Sequence, residues 1–154
     1  MRRSALMGSP PGLEIFAYAM KLLATRDLTV AQLHAKLEAK FGEAPQEVID
    51  QLIRKRFLDD RRYAENYTVK RLHRGPLILR EELLSRGVDE SIVEPILNSR
   101  EWPSLEQALA DRIQRWRLKP PISTKDATRL FKSLCSLGFE EDAVRAELER
   151  LHEQ

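Results

Sequence analysis

Apolar residues recur along most of this 154-residue chain at the three- and four-residue steps that place them on one face of an α-helix. The first such stripe covers residues 13–23. Thr29 and Pro45 are typical of helix starts, and Gly42 is typical of a helix end. No segment alternates apolar and polar positions for long enough to indicate a strand. The pattern therefore predicts an all-α protein.

One arrangement of residues occurs three times. It consists of two leucines four positions apart, then a glycine, then two aliphatic residues. In each copy we expect the leucines to pack one helix and the glycine to end it with a left-handed backbone. The aliphatic pair should face inward from a short following helix. The copies are Leu33, Leu37, Gly42, Ile49 and Ile53; Leu79, Leu83, Gly87, Val93 and Leu97; and Leu130, Leu134, Gly138, Val144 and Leu148.

Each copy follows a further predicted helix, over residues 13–25, 61–74 and 104–119, so the sequence predicts three tandem three-helix modules. Their predicted bounds are 13–57, 58–100 and 101–154, after a flexible tail at 1–12. A module of this size buries little apolar area alone, so we expect the three to stack into an elongated body, straight or curved. Such a body suits binding along another extended object.

Charge is unevenly distributed although 26 Lys and Arg nearly balance 24 Asp and Glu. The net charge of +2 excludes a histone-like polycation. Residues 54–74 carry eight basic side chains against three acidic ones, and residues 112–132 carry seven against one, whereas the chain from 138 onward is acidic. Solvated helices alone can explain single Lys or Arg residues. The clusters indicate contact with a polyanion, because like charges this dense repel one another.

The candidate contact residues lie in these clusters. Helical spacing would place Arg112, Arg115 and Lys119 on one face and would place Lys70 and Arg74 together on another. Arginine outnumbers lysine, which suits bidentate contact with carboxylate or phosphate. The candidates are Arg61, Arg62, Lys70, Arg71, Arg74, Arg112, Arg115, Lys119, Lys125, Arg129 and Lys132.

Signs of catalysis are missing from the sequence. Gly75 and Pro76 are followed by no phosphate-binding loop, and the three histidines lack metal-ligand spacing. Asp59 and Asp60 precede a predicted helix, where capping explains them. We therefore expect no enzyme, no metal and no cofactor. One cysteine, no long apolar run and no secretory signal predict a cytoplasmic protein that does not enter a membrane.

A resemblance to a known family rests on the middle of the chain. Residues 57–67 read FLDDRRYAENY, Arg71 and then Gly75 and Pro76 follow, and residues 80–88 read REELLSRGV. This succession closely resembles the signature of the RecX family, bacterial regulatory proteins that bind the RecA recombinase. It is dense over residues 57–88, and the three-module layout extends it more weakly over residues 13–151.

The resemblance to the RecX family implies tandem three-helix repeats without catalysis. It also implies docking in the groove of the RecA filament on DNA, with inhibition of RecA's ATP hydrolysis, strand exchange and coprotease activity. On the matching positions, Asp59 and Asp60 would cap the second module's first helix. Arg71, Arg74 and Arg80 would be exposed contacts to the filament or to DNA.

We interpret the chain as a monomeric regulator whose partners are the RecA filament and single- or double-stranded DNA. Through them it would modulate recombination, DNA repair and the SOS response. One alternative is an autonomous helix-turn-helix-like DNA-binding regulator, although no predicted helix carries a cluster of Asn, Gln and Arg suited to reading base edges. A nuclease is disfavoured because no carboxylate cluster is placed to hold Mg²⁺.

Overall fold

A computed structural model of the chain describes residues 10–153, and it confirms the all-α class: that range contains nine α-helices and no strand. One 3-10 turn, Leu72–Arg74, separates the fourth and fifth helices. No helix within residues 10–153 is long and apolar enough to cross a membrane. The helices are α1 (Pro10–Thr25), α2 (Val30–Phe41), α3 (Gln46–Arg54), α4 (Asp60–Lys70), α5 (Pro76–Ser85), α6 (Glu90–Asn98), α7 (Leu105–Arg115), α8 (Thr124–Ser136) and α9 (Glu141–Glu153).

Three helix boundaries differ from the sequence prediction. Helix α1 begins at Pro10, inside the predicted tail, because proline is well tolerated in a first helical turn; the rest of that tail lies outside the described residues. Helix α4 ends at Lys70, since Arg71 leaves the helical region at φ −133°. Helix α7 ends at Arg115, and Arg117 takes a left-handed backbone at φ 54°.

The repeated leucines and glycines behave as predicted. All six leucines of the three copies are fully buried. Gly42, Gly87 and Gly138 have φ values of 78°, 88° and 100°, so each ends its helix in the left-handed region. The prediction for one aliphatic position was wrong. Ile53, near the end of α3, is 44% exposed, because Leu52 and not Ile53 packs into the core of the first helices.

The chain forms two compact units. Among the described residues, the first unit contains residues 10–70 together with Glu82–Ile96, and the second contains Arg71–Glu81 together with residues 97–153. The division into three modules at 13–57, 58–100 and 101–154, and their elongated stacking, remain predictions.

The core of the first unit is built from α1, α2 and α3. Its buried members are all aliphatic, and each fully buried Leu or Ile contributes about 1.5–3 kcal/mol to folding by leaving water. Its buried members are Ile15, Ala19, Leu28, Leu33, Leu37, Val48, Ile49, Leu52 and Leu58. Helix α4 adds a buried face containing Tyr63 and Tyr67, whose rings stack with centroids 6.0 Å apart.

Thr29 joins two distant parts of the first unit. Its side-chain oxygen accepts a hydrogen bond from the N–H of Gln32, and the Gln32 side chain accepts one from the N–H of Thr29, which completes a capping box. The same Thr29 hydroxyl donates to the carbonyl of Arg86 at 2.6 Å. Beside this bond, Gly87 approaches Ala31 so closely that a Cβ at position 87 would overlap the Ala31 side chain.

The second unit is organised around α7, α8 and α9. Its buried residues are Ala108, Leu109, Ile122, Leu130, Leu134 and Val144. Half-buried aromatic residues pack against this core, among them Trp116 and Phe131. Ser104 caps α7 and Ser123 caps α8, each accepting a hydrogen bond from the backbone N–H three residues later.

Candidate functional site

Helix α8 presents a basic stripe to solvent. Lys125, Arg129 and Lys132 lie four and three positions apart, which places them on one face of the helix, and all three are exposed. The opposite face carries Leu130 and Leu134, which are fully buried in the core. The buried leucines therefore fix the direction in which the basic face points.

The middle residue of this stripe is held in place by an aromatic ring. The guanidinium carbon of Arg129 lies 4.3 Å from the ring centroid of Trp116, and its Nη1 lies 3.4 Å from the Asp126 carboxylate. A guanidinium over an indole is a favourable cation–π contact. Arg129 is thus a positioned cation rather than a freely rotating one, and it keeps about half of its side chain exposed.

The predicted basic face of α7 is only partly correct. Arg112 is mostly covered, because its Nε donates to the Ser133 hydroxyl at 2.9 Å and its Nη1 lies 3.3 Å from Asp111. Arg115 is exposed and also pairs with Asp111, at 3.1 Å. Lys119 is exposed but does not continue their row, since α7 ends before it. The bond from Arg112 to Ser133 brings α7 against the basic α8.

The segment Arg71–Glu81 belongs to the same unit as α7 and α8. A Cβ added to Gly75 would lie 2.5 Å from the Leu137 carbonyl oxygen, so the turn after Arg74 passes directly over the end of α8. Arg71, Arg74 and Arg80 are half-buried, whereas the sequence predicted exposed side chains. The second unit thereby collects residues from both basic clusters of the sequence.

The remaining candidates belong to the first unit. Arg61 forms a long ion pair of 3.8 Å with Glu65, and Arg62 donates to the carbonyl of Arg56 at 3.0 Å. Lys70 is exposed, but it shares no helix face with Arg74, because α4 ends between them. Arg62 therefore has a structural role, since it holds the left-handed turn at Arg56.

The four candidate lysines differ from several of the candidate arginines in having no carboxylate partner within the described residues. Lys70, Lys119, Lys125 and Lys132 are exposed, and none forms an ion pair with a carboxylate of residues 10–153. The acidic helix α9 does not neutralise them. Its own arginines pair within the helix, Arg145 with Asp142 at 3.2 Å and Arg150 with Glu147 at 2.9 Å.

Asp59 and Asp60 cap two different helices. Asp59 accepts a hydrogen bond from the N–H of Arg62 and caps α4, as expected from the sequence. Asp60 instead accepts one from the N–H of Val30 at 2.9 Å, at the start of α2. Burial raises the pKa of the Asp60 carboxyl, the hydrogen bond from Val30 opposes that shift, and the charge of Asp59 adds to it.

Sequence reasoning missed a second group of cations, in the first unit. Arg26, Lys36 and Arg86 line a groove of about 410 Å³ together with Tyr63. Arg86 is far in sequence from the other two, and all three lie outside the two basic clusters. Arg86 does lie in the segment at residues 80–88 that resembles the family, but nothing in that segment marks it as a contact residue.

Within the described residues, no three His, Cys, Asp or Glu side chains are grouped to hold a metal ion.

Comparison with known proteins gives a consistent result. Residues 59–95 match the second three-helix domain of RecX. A regulatory protein RecX from a strain of Thermus thermophilus is 40% identical over 130 residues, which cover 83% of this chain and 85% of the relative. One from Halorhodospira halophila is 35% identical over 83% of this chain and 82% of the relative.

Solved structures share the fold. The crystal structure of RecX from Lactobacillus salivarius superposes with a TM-score of 0.64 and 21% identity, covering 88% of this chain and 95% of that one. A second crystal structure of a regulatory protein RecX gives a TM-score of 0.61 and 20% identity, over 90% of this chain and 71% of that one. At these identities the likeness concerns the fold alone.

Proposed function

This chain belongs to the RecX family of regulatory proteins, and from that premise we propose that it binds the RecA filament on DNA. Binding inhibits RecA's ATPase, strand-exchange and coprotease activities and so modulates recombination, DNA repair and the SOS response. The chain acts by contact and not by catalysis. Contact with neighbouring RecA subunits obstructs the movements that ATP turnover requires.

The observation that carries this proposal is the gathering of basic residues in the second unit. The turn after Arg74 lies over the end of α8, and the solvent-facing side of α8 carries Lys125, Arg129 and Lys132. A nucleoprotein filament is a long polyanion, because DNA carries a phosphate charge at every nucleotide. A surface of this sign supports binding along such an assembly.

The candidate contact residues differ in their availability. Arg112 and Arg62 are engaged by internal hydrogen bonds, so their loss disturbs folding as much as binding. Lys125 and Lys132 are exposed and unpaired within residues 10–153, so a partner phosphate or carboxylate meets them without breaking an internal pair. We therefore propose these two lysines as primary contacts, with Arg129 positioned between them.

The test measures RecA ATP hydrolysis on single-stranded DNA while the protein is titrated at two salt concentrations. We expect inhibition that weakens as salt rises, because the phosphate contacts release counterions. The double variant Lys125→Glu, Lys132→Glu should need about tenfold more protein for the same inhibition, on the scale of two lost surface charge contacts.

The matched control for charge is Lys21→Glu, Lys40→Glu, which reverses two exposed lysines of α1 and α2. It should inhibit like the native chain. Equal loss in both double variants would remove the α8 stripe from the mechanism. An absence of inhibition by the native chain, together with sequence-specific duplex binding, would favour the helix-turn-helix-like regulator instead.

A further inference from the structure

The groove in the first unit contains a guanidinium that is fixed before any ligand arrives. Arg86 Nη1 lies 3.0 Å from the hydroxyl oxygen of Tyr63 and donates to it. The Arg86 guanidinium carbon stands 4.7 Å from the ring centroid of Tyr67. The main chain of Arg86 is held as well, since its carbonyl accepts the hydrogen bond from Thr29. Binding to a side chain already held in this way loses little rotamer entropy.

The fixed guanidinium keeps unused donors on its open side. Arginine has five N–H donors, and the side chains of Tyr63 and Tyr67 engage two of them. Tyr63 accepts that bond through its oxygen, which leaves its own O–H to donate. Gln32 also lines the groove, and because its side-chain oxygen accepts from Thr29, its amide NH₂ is left as a donor. The groove thus offers donors from three side chains.

The groove carries more positive than negative charge. Arg26, Lys36 and Arg86 line it against a single carboxylate, Asp27. Within residues 10–153, none of the three cations forms an ion pair with a carboxylate. The excess cations repel one another, and an anionic ligand relieves that repulsion. Donors and charge together are suited to an anion.

We propose that this groove binds the carboxylate of an aspartate or glutamate side chain in an acidic segment of a protein partner. Arg86 forms the two-pronged pair with the carboxylate, for which its planar fork is suited, and Lys36 supplies the second positive charge. The identity of the partner rests on the proposed function, whereas the chemistry of the groove does not.

The form of the groove is the reason to favour a side-chain carboxylate over a nucleic-acid strand. The groove is a single concavity of about 410 Å³. A carboxylate at the end of one side chain can enter such a concavity by itself, whereas the phosphates of a DNA strand lie along a continuous backbone. The three cations outnumber the one carboxylate of the wall, Asp27, so the groove can accept the charge of one inserted carboxylate.

The test uses the full chain, labelled with ¹⁵N, and a blocked hexapeptide of glutamate as the probe. We expect the peptide to shift the Arg86 Nε–Hε resonance and the amide resonances of Gln32 and Lys36, while a hexapeptide of glutamine shifts none of them. Arg86→Gln should weaken peptide binding about tenfold and Lys36→Gln about threefold, as expected for losing a two-pronged and a single charged contact.

Two further variants control for misfolding and for a general effect of charge. Lys36→Gln changes a half-buried side chain that caps no helix, so it reports on the groove even if Arg86→Gln unfolds the unit. Lys40→Gln makes the same change one turn later on α2, where Lys40 lies 4.8 Å from the Tyr18 ring centroid and away from the groove. It should bind the peptide as the native chain does.

The proposal is overturned if the glutamate peptide leaves the groove resonances unmoved, or if Lys36→Gln and Lys40→Gln bind it equally. It is also overturned if an oligothymidylate shifts those resonances and the peptide does not displace it, which would assign the groove to nucleic acid. Peptide binding needs no recombinase. Peptide binding without inhibition of RecA would therefore overturn the proposed function alone, and inhibition without peptide binding would overturn the groove alone.

Discussion

The carboxylate of Asp60 accepts its hydrogen bond from the backbone N–H of Val30, so it caps a helix that begins thirty positions earlier in the chain. Its neighbour Asp59 caps the helix that follows directly. Two adjacent aspartates of similar appearance therefore have different roles. One stabilises local helix structure, and the other joins α4 to the start of α2.

This difference predicts unequal effects of removing the two carboxylates. Asp59→Ala should cost about 1 kcal/mol, the usual value for a helix cap. Asp60→Ala should cost about 2 kcal/mol, because it also leaves the half-buried N–H of Val30 without an acceptor. Urea unfolding followed by circular dichroism measures both. Equal costs would mean that the bond to Val30 adds nothing to stability.

The raised pKa of Asp60 predicts the sign of a pH effect. Burial raises this pKa, so the folded state binds the proton more readily than the unfolded state. The stability of the native chain relative to Asp60→Asn should therefore rise as the pH falls through the raised pKa toward the ordinary aspartate value. Urea unfolding of both proteins at neutral and mildly acidic pH measures the difference. A relative stability that falls on acidification contradicts the assignment.

Two glycines with left-handed backbones should respond differently to alanine. Gly42, at φ 78°, has no atom within 4 Å of the Cβ position, so Gly42→Ala should cost only the conformational penalty of about 1 kcal/mol. Gly87→Ala adds an overlap with Ala31, and we expect a cost of about 2–4 kcal/mol. Thermal unfolding of the two variants compares them directly. Recovery of Gly87→Ala by the second change Ala31→Gly would confirm the overlap as the cause.

Arg56 and Arg117 occupy backbone positions that favour glycine. Their φ values are 65° and 54°, and both side chains are exposed. Arg56→Gly and Arg117→Gly should each stabilise the fold by about 0.5–1 kcal/mol, by relieving the left-handed strain. The control Lys55→Gly, at φ −85°, has no such strain to relieve and should not stabilise. A lower melting temperature for both arginine variants would contradict this prediction.

The turn at the end of α4 offers a second test of the proposed contact with RecA. Reversing Arg71 and Arg74 together to Glu should weaken inhibition of RecA's ATPase while leaving the helical circular dichroism signal intact, since these residues belong to the basic surface of the second unit. The matched control reverses Arg145 and Arg150 of α9, which pair with acidic residues of their own helix. An unchanged inhibition curve for Arg71→Glu, Arg74→Glu removes this turn from the mechanism.

Local sequence determined most of the helical framework. Leu33, Leu83 and Leu134 are buried where the repeat placed them, and Thr29 caps α2 as predicted. These features depend on residues within about four positions of each other, because helix periodicity and capping are local interactions. The helix ends at Lys70 and Arg115 were harder to predict, since no glycine or proline marks either position.

Tertiary structure alone decided what the polar side chains contact. Arg112 was predicted on an outer face, yet packing of α7 against α8 covers most of its side chain and joins it to Ser133. Asp60 accepts a hydrogen bond from Val30, and Arg86 contacts Tyr63 and Tyr67 in a groove. No residue spacing in the sequence predicts that groove. An apolar residue needs only to leave water, and periodicity predicts that. A polar residue needs a specific partner, and in the hydrogen bonds named here folding brings that partner from 21 to 57 positions away in the chain.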